Sequence, residues 1–360
     1  MVPKLYFLLL TLALAACAPA AAPTAATTPA ASPAPTTLTL VTHDSFALSE
    51  AVLAQFSADT GISVEVLRSG DAGSMLNQSI LSRQNPLGDV LFGIDNTFLG
   101  RALENELFVP YESPLLADIP AQFRLDSENR VTPIDYGDVC LNYDVAYFAA
   151  NSLPVPDQLL DLTDQAYRGL LVVQNPATSS PGLAFLLATI AVFGTEGDYT
   201  YLDFWRDLVV NQVRVVDGWE LAYYGFFSIH AESDPRPLVV SYASSPPAEV
   251  YFAETPPQTA PTAAIVAANT CFRQIEFAGI LQGTDNLSGA QRFIDFMLSV
   301  PFQEDLPLNM FVFPVNPAAA LPEVFTLYAA VPESPLALDS AAINANRDAW
   351  ISAWTDAVLR

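Results

Sequence analysis

TLTLVT (residues 37–42), ISVEVL (62–67) and DVLFGI (89–94) are three strand-like runs, and the segments between them decide the fold. After the first, Ser49 precedes apolar positions at Val52, Leu53 and Phe56, and Gly61 follows. Ser49 is therefore read as a helix N-cap and Gly61 as its C-terminal stop. After the second, Gly70-Asp71-Ala72-Gly73-Ser74 makes a turn into a helix expected from about Met75 to Gln84. The third run is nearly all apolar, as a strand covered on both faces of a parallel sheet must be. Strand–helix–strand–helix–strand in this order predicts right-handed crossovers and an α/β fold with its ligand loops at the strand C-termini.

The alternation continues. Residues 139–143 and 169–174 read as strands, the latter followed by a helix opening at Ser180-Pro181-Gly182. Stretches 204–210, 214–216 and 238–242 prolong the α/β pattern. Residues 274–280 are again strand-like, and 288–298 form a helix with Phe293, Phe296 and Met297 on one face. The last helix is expected over about 346–359, where Trp350 and Trp354 at i, i+4 point to one packing stripe. Pro-rich stretches at 235–237 and 256–261 read as surface loops.

The N-terminus has Lys4, an apolar run over 5–14 and small residues before Cys17, the pattern of a signal peptide too short to span a bilayer. Leu14-Ala15-Ala16-Cys17 is similar to a bacterial lipobox, in which the thiol is acylated; an ordinary cleaved signal with Cys17 incidental is the competing reading. Residues 18–37 are almost wholly Ala, Pro and Thr and read as a tether. The expected layout is a signal peptide with lipobox over 1–17, a tether over 18–37, and an exported domain held at the outer face of the membrane, or in the periplasm, by an N-terminal lipid.

Apolar residues make up 51% and aromatic residues 11% of the chain, enough for a large core. The formal charge of −25 comes from 39 acidic against 14 basic residues. It argues against nucleic acid as a partner and against anionic lipid surfaces, so the lipid anchor is the expected membrane contact. A cationic ligand is compatible with it. If Cys17 is acylated, Cys140 and Cys271 remain as an even pair in an oxidising compartment, either bonded or free. A bridge would close a loop of about 130 residues and stabilise by roughly 4–5 kcal/mol in the chain-entropy picture.

Enzyme signatures are nearly absent. With two histidines, His43 and His230, a His-rich metal centre is excluded, and G-x-S-x-G, P-loop, G-x-G-x-x-G and H-E-x-x-H motifs do not occur. No metal or cofactor is expected. Polar and aromatic residues cluster instead at the expected strand ends, which suggests a ligand cleft.

The ordered series His43-Asp44-Ser45-Phe46, Gly93-Ile94-Asp95-Asn96, Asp135-Tyr136-Gly137, Thr178-Ser179-Ser180-Pro181-Gly182-Leu183, Gly218-Trp219-Glu220 and Ser241-Tyr242 resembles the thiamine-binding subunit of bacterial ABC importers. So do Phe293-Ile294-Asp295-Phe296-Met297-Leu298-Ser299, Phe311-Val312-Phe313-Pro314-Val315 and Arg347-Asp348-Ala349-Trp350-Ile351, so the likeness runs through essentially the whole exported domain. It implies a two-lobed type II periplasmic-binding-protein fold with a hinge of crossing strands. Residues 38–135 and 275–360 would form one lobe, and 136–274 the other. It also implies binding without catalysis, thiamine or a thiamine phosphate as ligand, and an ABC permease complex as partner.

The resemblance also allots roles. A thiazolium cation suits an aromatic wall of Trp219, Tyr223 and Tyr242, with Tyr224 as substitute for Tyr223; core packing is the competing role. Asp71 would meet the aminopyrimidine, with Asp44 and Asp95 as further candidates and His43, Ser45 and Asn96 beside them; turn or N-cap roles compete. Thr178, Ser179, Ser180 and Gly182 would seat a phosphorylated tail at a helix start, where Ser179 or Ser180 could also be the cap. The sequence departs from its relatives at His43, where they often have Tyr, and near Phe311, where they have Trp. If the strands after Asp135 and after Cys271 are the two hinge crossings, Cys140 and Cys271 are bonded, and Glu276 and Asp138 lie near the hinge floor. Two alternatives stand. One is another small cation, a polyamine or a ferric ion, the latter disfavoured because no paired-tyrosine and histidine set is evident. The other is a thiaminase-like enzyme using Cys140 or Cys271 with Glu276, which a disulfide would remove.

Overall fold

A computed structural model describes residues 36–360 apart from residue 256. The expected signal peptide with Cys17, and the tether up to residue 35, lie outside the described residues. The first strand, β1 (Thr36–Thr42), begins inside the stretch read as tether, because Ile62 and Ser63 of β2 (Ile62–Arg68) offer Thr36 and Thr37 partners. Ser49 accepts the Val52 N–H and Gly61 closes the intervening helix Glu50–Thr60 in the left-handed region at φ 73°, as expected. The helix Ala72–Leu81 starts earlier than the sequence suggested, because Asp71 rather than the following turn provides its cap, and it ends ahead of Asn85-Pro86.

The remaining strands are β3 (Val90–Asp95), β4 (Phe108–Val109), β5 (Thr132–Asp144), β6 (Leu171–Gln174), β7 (Arg214–Val216), β8 (Leu238–Tyr242), β9 (Thr262–Ile265), β10 (Phe272–Leu281) and β11 (Phe313–Pro314). The sheet path runs β2-β1-β3-β10-β5-β8-β6-β7, with β4 on β10 and both β9 and β11 on β5. At one end β1, β2 and β3 are mutually parallel; at the other β6, β7 and β8 are. The two parallel groups are joined by β5 and β10, which run antiparallel to each other and to the groups they meet. This is the two-lobed α/β fold of the type II periplasmic binding proteins, with β5 and β10 as the crossing strands.

β5 is far longer than the expected strand at 139–143, because Pro133 reads as a break. Here Pro133 stands opposite Phe277, where the β10 register shifts between Glu276 and Phe277. A bulge is where a strand tolerates a residue with no N–H to give.

The helix Ser180–Phe193 is buried along residues 180–190 and apolar all round, as an element enclosed on every side must be. Phe185 and Trp354 both meet Trp205 edge-on, at 5.7 and 5.4 Å between ring centres, and Trp205 Nε1 donates to Thr189 Oγ1 at 3.0 Å. Trp354 thus fills the packing role expected of it. Its helix, Ser340–Val358, begins earlier than expected because Asp339 caps it by accepting the Ala342 N–H. That helix touches both halves of the sheet's surroundings, with Arg347 over the Phe98 ring and Trp354 on Trp205.

Cys140 of β5 and Cys271, just before β10, form a disulfide across 131 positions, with Cα atoms 4.4 Å apart and both residues buried. The bond locks the end of the crossing pair and ties up both thiols that the enzymatic alternative would use. A Cys140→Ala/Cys271→Ala variant should lose roughly 4–5 kcal/mol of unfolding free energy in urea titration. A loss below about 1 kcal/mol would contradict the staple.

Candidate functional site

The C-terminal ends of β1, β2 and β8, with Glu276 of β10, converge on a cavity of about 290 Å³. Such strand ends are where a parallel sheet presents its loops. One wall is aromatic. Trp219, first residue of the helix Trp219–Gly225, lies parallel to Tyr223 at 4.9 Å, and its Nε1 donates to Ser241 Oγ at 2.9 Å. Ser241 in turn meets Ser245 Oγ at 2.8 Å, so the indole is held from behind. Tyr223 is 1% exposed and donates to Glu249 at 2.8 Å; it backs Trp219, while Tyr224, 51% exposed, stands edge-on at the rim. The Tyr242 ring lies flat on Gly137, where an added Cβ would come within 2.8 Å of Cδ1. Only glycine on the hinge strand leaves room for that ring.

The opposite wall begins with His43. Its ring occupies the space over Gly93, whose φ of 101° and 2.3 Å approach to an added Cβ both require glycine. Burial, helped by the charge of Arg68, lowers the His43 pKa to about 4, so the ring is neutral and can stack without repelling a cation.

Asp71 reaches from this side to the other. Its Oδ1 accepts the Ala72 N–H at 2.7 Å, and its Oδ2 accepts the Ser179 hydroxyl at 3.0 Å and the Trp219 N–H at 2.9 Å. Beside it the Gly73 N–H donates to the Thr178 carbonyl at 2.9 Å. Burial raises the Asp71 pKa, and the hydrogen bonds from Trp219, Ala72, Ser179 and Ser180 oppose that rise.

The floor is acidic. Glu276 of β10 stands across from Asp95 of β3 on one side and Asp135 of β5 on the other. Asp95 Oδ1 accepts the Thr97 N–H and hydroxyl and the Phe98 N–H, whereas neither oxygen of Asp135 finds a donor among the described residues. Burial pushes Asp95 up to about 6 and Asp135 up to about 7. Glu276 is raised well above its ordinary value too, first through burial and then through the neighbouring carboxylates. Side-by-side buried carboxyls cannot all ionise, and the pair is best described as sharing a proton. The His43 Nε2–Glu276 Oε1 approach of 3.6 Å therefore brings a neutral imidazole, not a cation, to the proton-sharing pair. Below the floor Arg273 Nε donates to Asp138 Oδ1 at 2.6 Å, a charge pair complete in itself.

His43, Asp44, Ser45, Asp71, Ser180, Trp219, Tyr223, Tyr224 and Tyr242 all line the cavity. Asp95, Asn96, Thr178, Ser179 and Gly182 lie behind its walls. Asn96 bonds the Arg273 carbonyl and the Ile275 N–H of β10; Thr178 Oγ1 donates to the Asp217 carbonyl; Ser179 supports Asp71. Gly182 packs against the Gln174 carbonyl, where a Cβ would approach to 2.6 Å. Of the expected anion seat only Ser180 reaches the cavity, and its hydroxyl already accepts from Gln274 Nε2 at 2.8 Å. Glu276, expected near the hinge floor, is the floor. Sequence reasoning missed Phe252, 67% exposed, which meets Phe311 at 5.5 Å across the mouth. Phe252 follows a short, proline-opened helix, Pro246–Tyr251, with no apolar periodicity to flag it.

Residues 85–326 match the family model of the bacterial extracellular solute-binding proteins. The chain is 31% identical over 331 residues to the thiamine-binding periplasmic protein of Escherichia coli (strain K12), covering 90% of this chain and 94% of that one. A solved periplasmic thiamin binding protein superposes with a TM-score of 0.79 at 28% identity, over 90% of this chain and 96% of its own. The apo ferric ion-binding protein A of Pasteurella haemolytica, at 18% identity and a TM-score of 0.70 over 90% and 98%, shares the fold.

The floor makes stability depend on pH. Raised carboxyl pKa values mean that the folded state holds more protons than the unfolded between about pH 4 and 7, so stability falls as pH rises through that window. His43, lowered to about 4, acts oppositely up to its unfolded value near 6.5. From pH 6.5 to 8 the raised Asp135 carboxyl outweighs the remaining His43 contribution, so the ligand-free protein should melt at a lower temperature at pH 8. Asp135→Asn should flatten that dependence in scanning fluorimetry. A melting temperature that climbs over this interval would contradict the shared proton.

Proposed function

The chain belongs to the bacterial extracellular solute-binding proteins, and on that premise we propose that it captures thiamine and hands it to an ABC importer. The observation that carries this reading is the composition of the cavity. Its rings, Trp219 and Tyr242, face an acidic floor, and none of its lining residues is Lys or Arg. A thiazolium ring over such faces gains roughly 0.5–2 kcal/mol per aromatic partner, more when water is excluded. Thiamine phosphates are the finer alternative. The hydroxyls of Ser45, Ser180 and Ser245 would then meet the tail without a compensating cation, so we favour the unphosphorylated vitamin. A polyamine has no flat ring to place against Trp219, and a ferric ion would want anionic ligands where the wall is aromatic.

Capture would proceed by closure of two lobes, residues 38–135 with 275–360 and residues 136–274, about β5 and β10. The ligand would stabilise the closed form by touching both. The bonds of Asp71 to Ser179 and Trp219 cross between those lobes and would favour closure even before the ligand contributes. The permease complex would then read the closed form. The protein is extracytoplasmic by family, and we read Leu14-Ala15-Ala16-Cys17 as the lipid attachment that keeps it near its permease. Binding rather than catalysis fits a cavity that no described cysteine lines, with Cys140 and Cys271 bonded to each other away from it.

Calorimetry of residues 36–360, which carry every described element, should show one-to-one thiamine binding with the ligand recovered unchanged. Trp219→Ala should weaken it about 2- to 30-fold, the value of one ring. No heat with thiamine would sink the reading, and recovery of cleaved thiamine would turn it toward an enzyme.

A further inference from the structure

Resting on the cationic-ligand reading above, we infer that the Asp135–Glu276 pair holds one shared proton while the cavity is empty and releases it when the cation enters. Capture is then an exchange of a cation for a proton. The geometry makes the case. Asp135 is fully buried, among the described residues neither of its oxygens meets an N–H or hydroxyl donor, and the Glu276 carboxyl stands directly across from it on the paired strand. Glu276 alone of the two reaches the cavity, so a charge arriving there acts on both.

The groups facing the pair offer no other neutralisation. From β3 comes Asp95, from the turn after β2 comes Asp71, and from β8 comes the Tyr242 phenol, none of them cationic. From the loop after β1 comes His43, 3.6 Å from Glu276 and held neutral by burial. The nearby cations are spoken for: Arg273 is paired with Asp138, and Arg68 donates to the Phe46 carbonyl at 2.8 Å. The pair therefore keeps a proton to near neutrality: Asp135 is pushed up to about 7, and burial and the neighbouring carboxylates raise Glu276 well above its ordinary value.

The step balances simply. The pair starts as one carboxyl and one carboxylate, charge −1. The carboxyl O–H bond breaks, the proton passes to solvent, and the second negative charge is matched by the ligand's single positive charge. Because the proton competes with the cation, affinity rises with pH, by up to tenfold per unit below the titration of the pair, and levels off above it. A neutral ligand of the same shape feels no such dependence.

The test is calorimetry of residues 36–360 with thiamine at pH 6.5, repeated in phosphate and in imidazole, whose different ionisation heats reveal proton transfer. Close to one proton should leave per thiamine bound. The isosteric thiophene analogue, which keeps the aminopyrimidine and lacks the ring charge, should release none, and Glu276→Gln should release none with thiamine. Infrared spectra of the ligand-free wild type should show a carboxylic C=O band at this pH that disappears when thiamine is added. Heat with no proton release overturns the exchange and leaves the thiamine reading standing. Equal release with the neutral analogue, or no carboxylic band, also overturns it. No heat at all sinks the thiamine reading and the exchange together.

Discussion

The antiparallel pairing of β5 with β10 is the constraint on which the rest of the molecule depends. Each strand leaves one parallel group and enters the other, so the register between them fixes where every loop of one half stands relative to the other. The same register stacks four features along one ladder. The disulfide closes its end, Arg273 meets Asp138 next, the Tyr136 ring packs between Phe123 and Phe313, and Glu276 faces Asp135 at the cavity. A slip of one residue would turn Glu276 away from the cavity and Ile275 or Phe277 toward it.

That ladder carries an expense a merely structural sheet would avoid. Burying carboxyls without a cation costs several kcal/mol per charge, and a folded protein escapes the cost by leaving the groups protonated. Asp138, three residues along β5 and on its other face, shows the ordinary solution, a bidentate arginine. The contrast between a satisfied Asp138 and an unsatisfied Asp135 on the same strand marks the latter as held ready for something that arrives from outside. A carboxylate left without a cation beside one that has its arginine is the kind of exception functional sites show. Asp71 is a third case: its charge is stabilised by donors from the far side of the cleft, so it ties conformation rather than ligand charge to the acidic interior.

The fold was legible because its signals are local. Ser49, Gly61, the alternating run at β2 and the apolar run at β3 each follow from propensity and burial, and their order imposes the crossover pattern. Pro133 concealed the first half of β5 because a bulge on a strand 140 residues away makes room for it, and no local rule can report that. The site divides in the same way. Trp219, Tyr242, His43 and Asp71 stand at strand ends and were found there, whereas Phe252 enters only through the tertiary approach of its helix to Phe311. Thr178, Ser179 and Gly182 carry the composition of an anion seat, yet packing against Gln174, Asp71 and Asp217 directs them into the wall. Glu276 is placed near the hinge floor only through the expected hinge crossings, and its pairing with β5 and β3 makes it the floor itself.

In the thiamine complex a positive ring is expected between the Trp219 and Tyr242 faces and the Glu276 carboxylate. A crystal structure of residues 36–360 grown with thiamine tests it most directly. Thiazolium density should lie within about 6 Å of the centres of both rings, the reach of a cation–π contact, with Glu276 on the side away from the cavity mouth. A thiazolium pointing to solvent past Phe252, or a ligand bound elsewhere with this cavity empty, would contradict it.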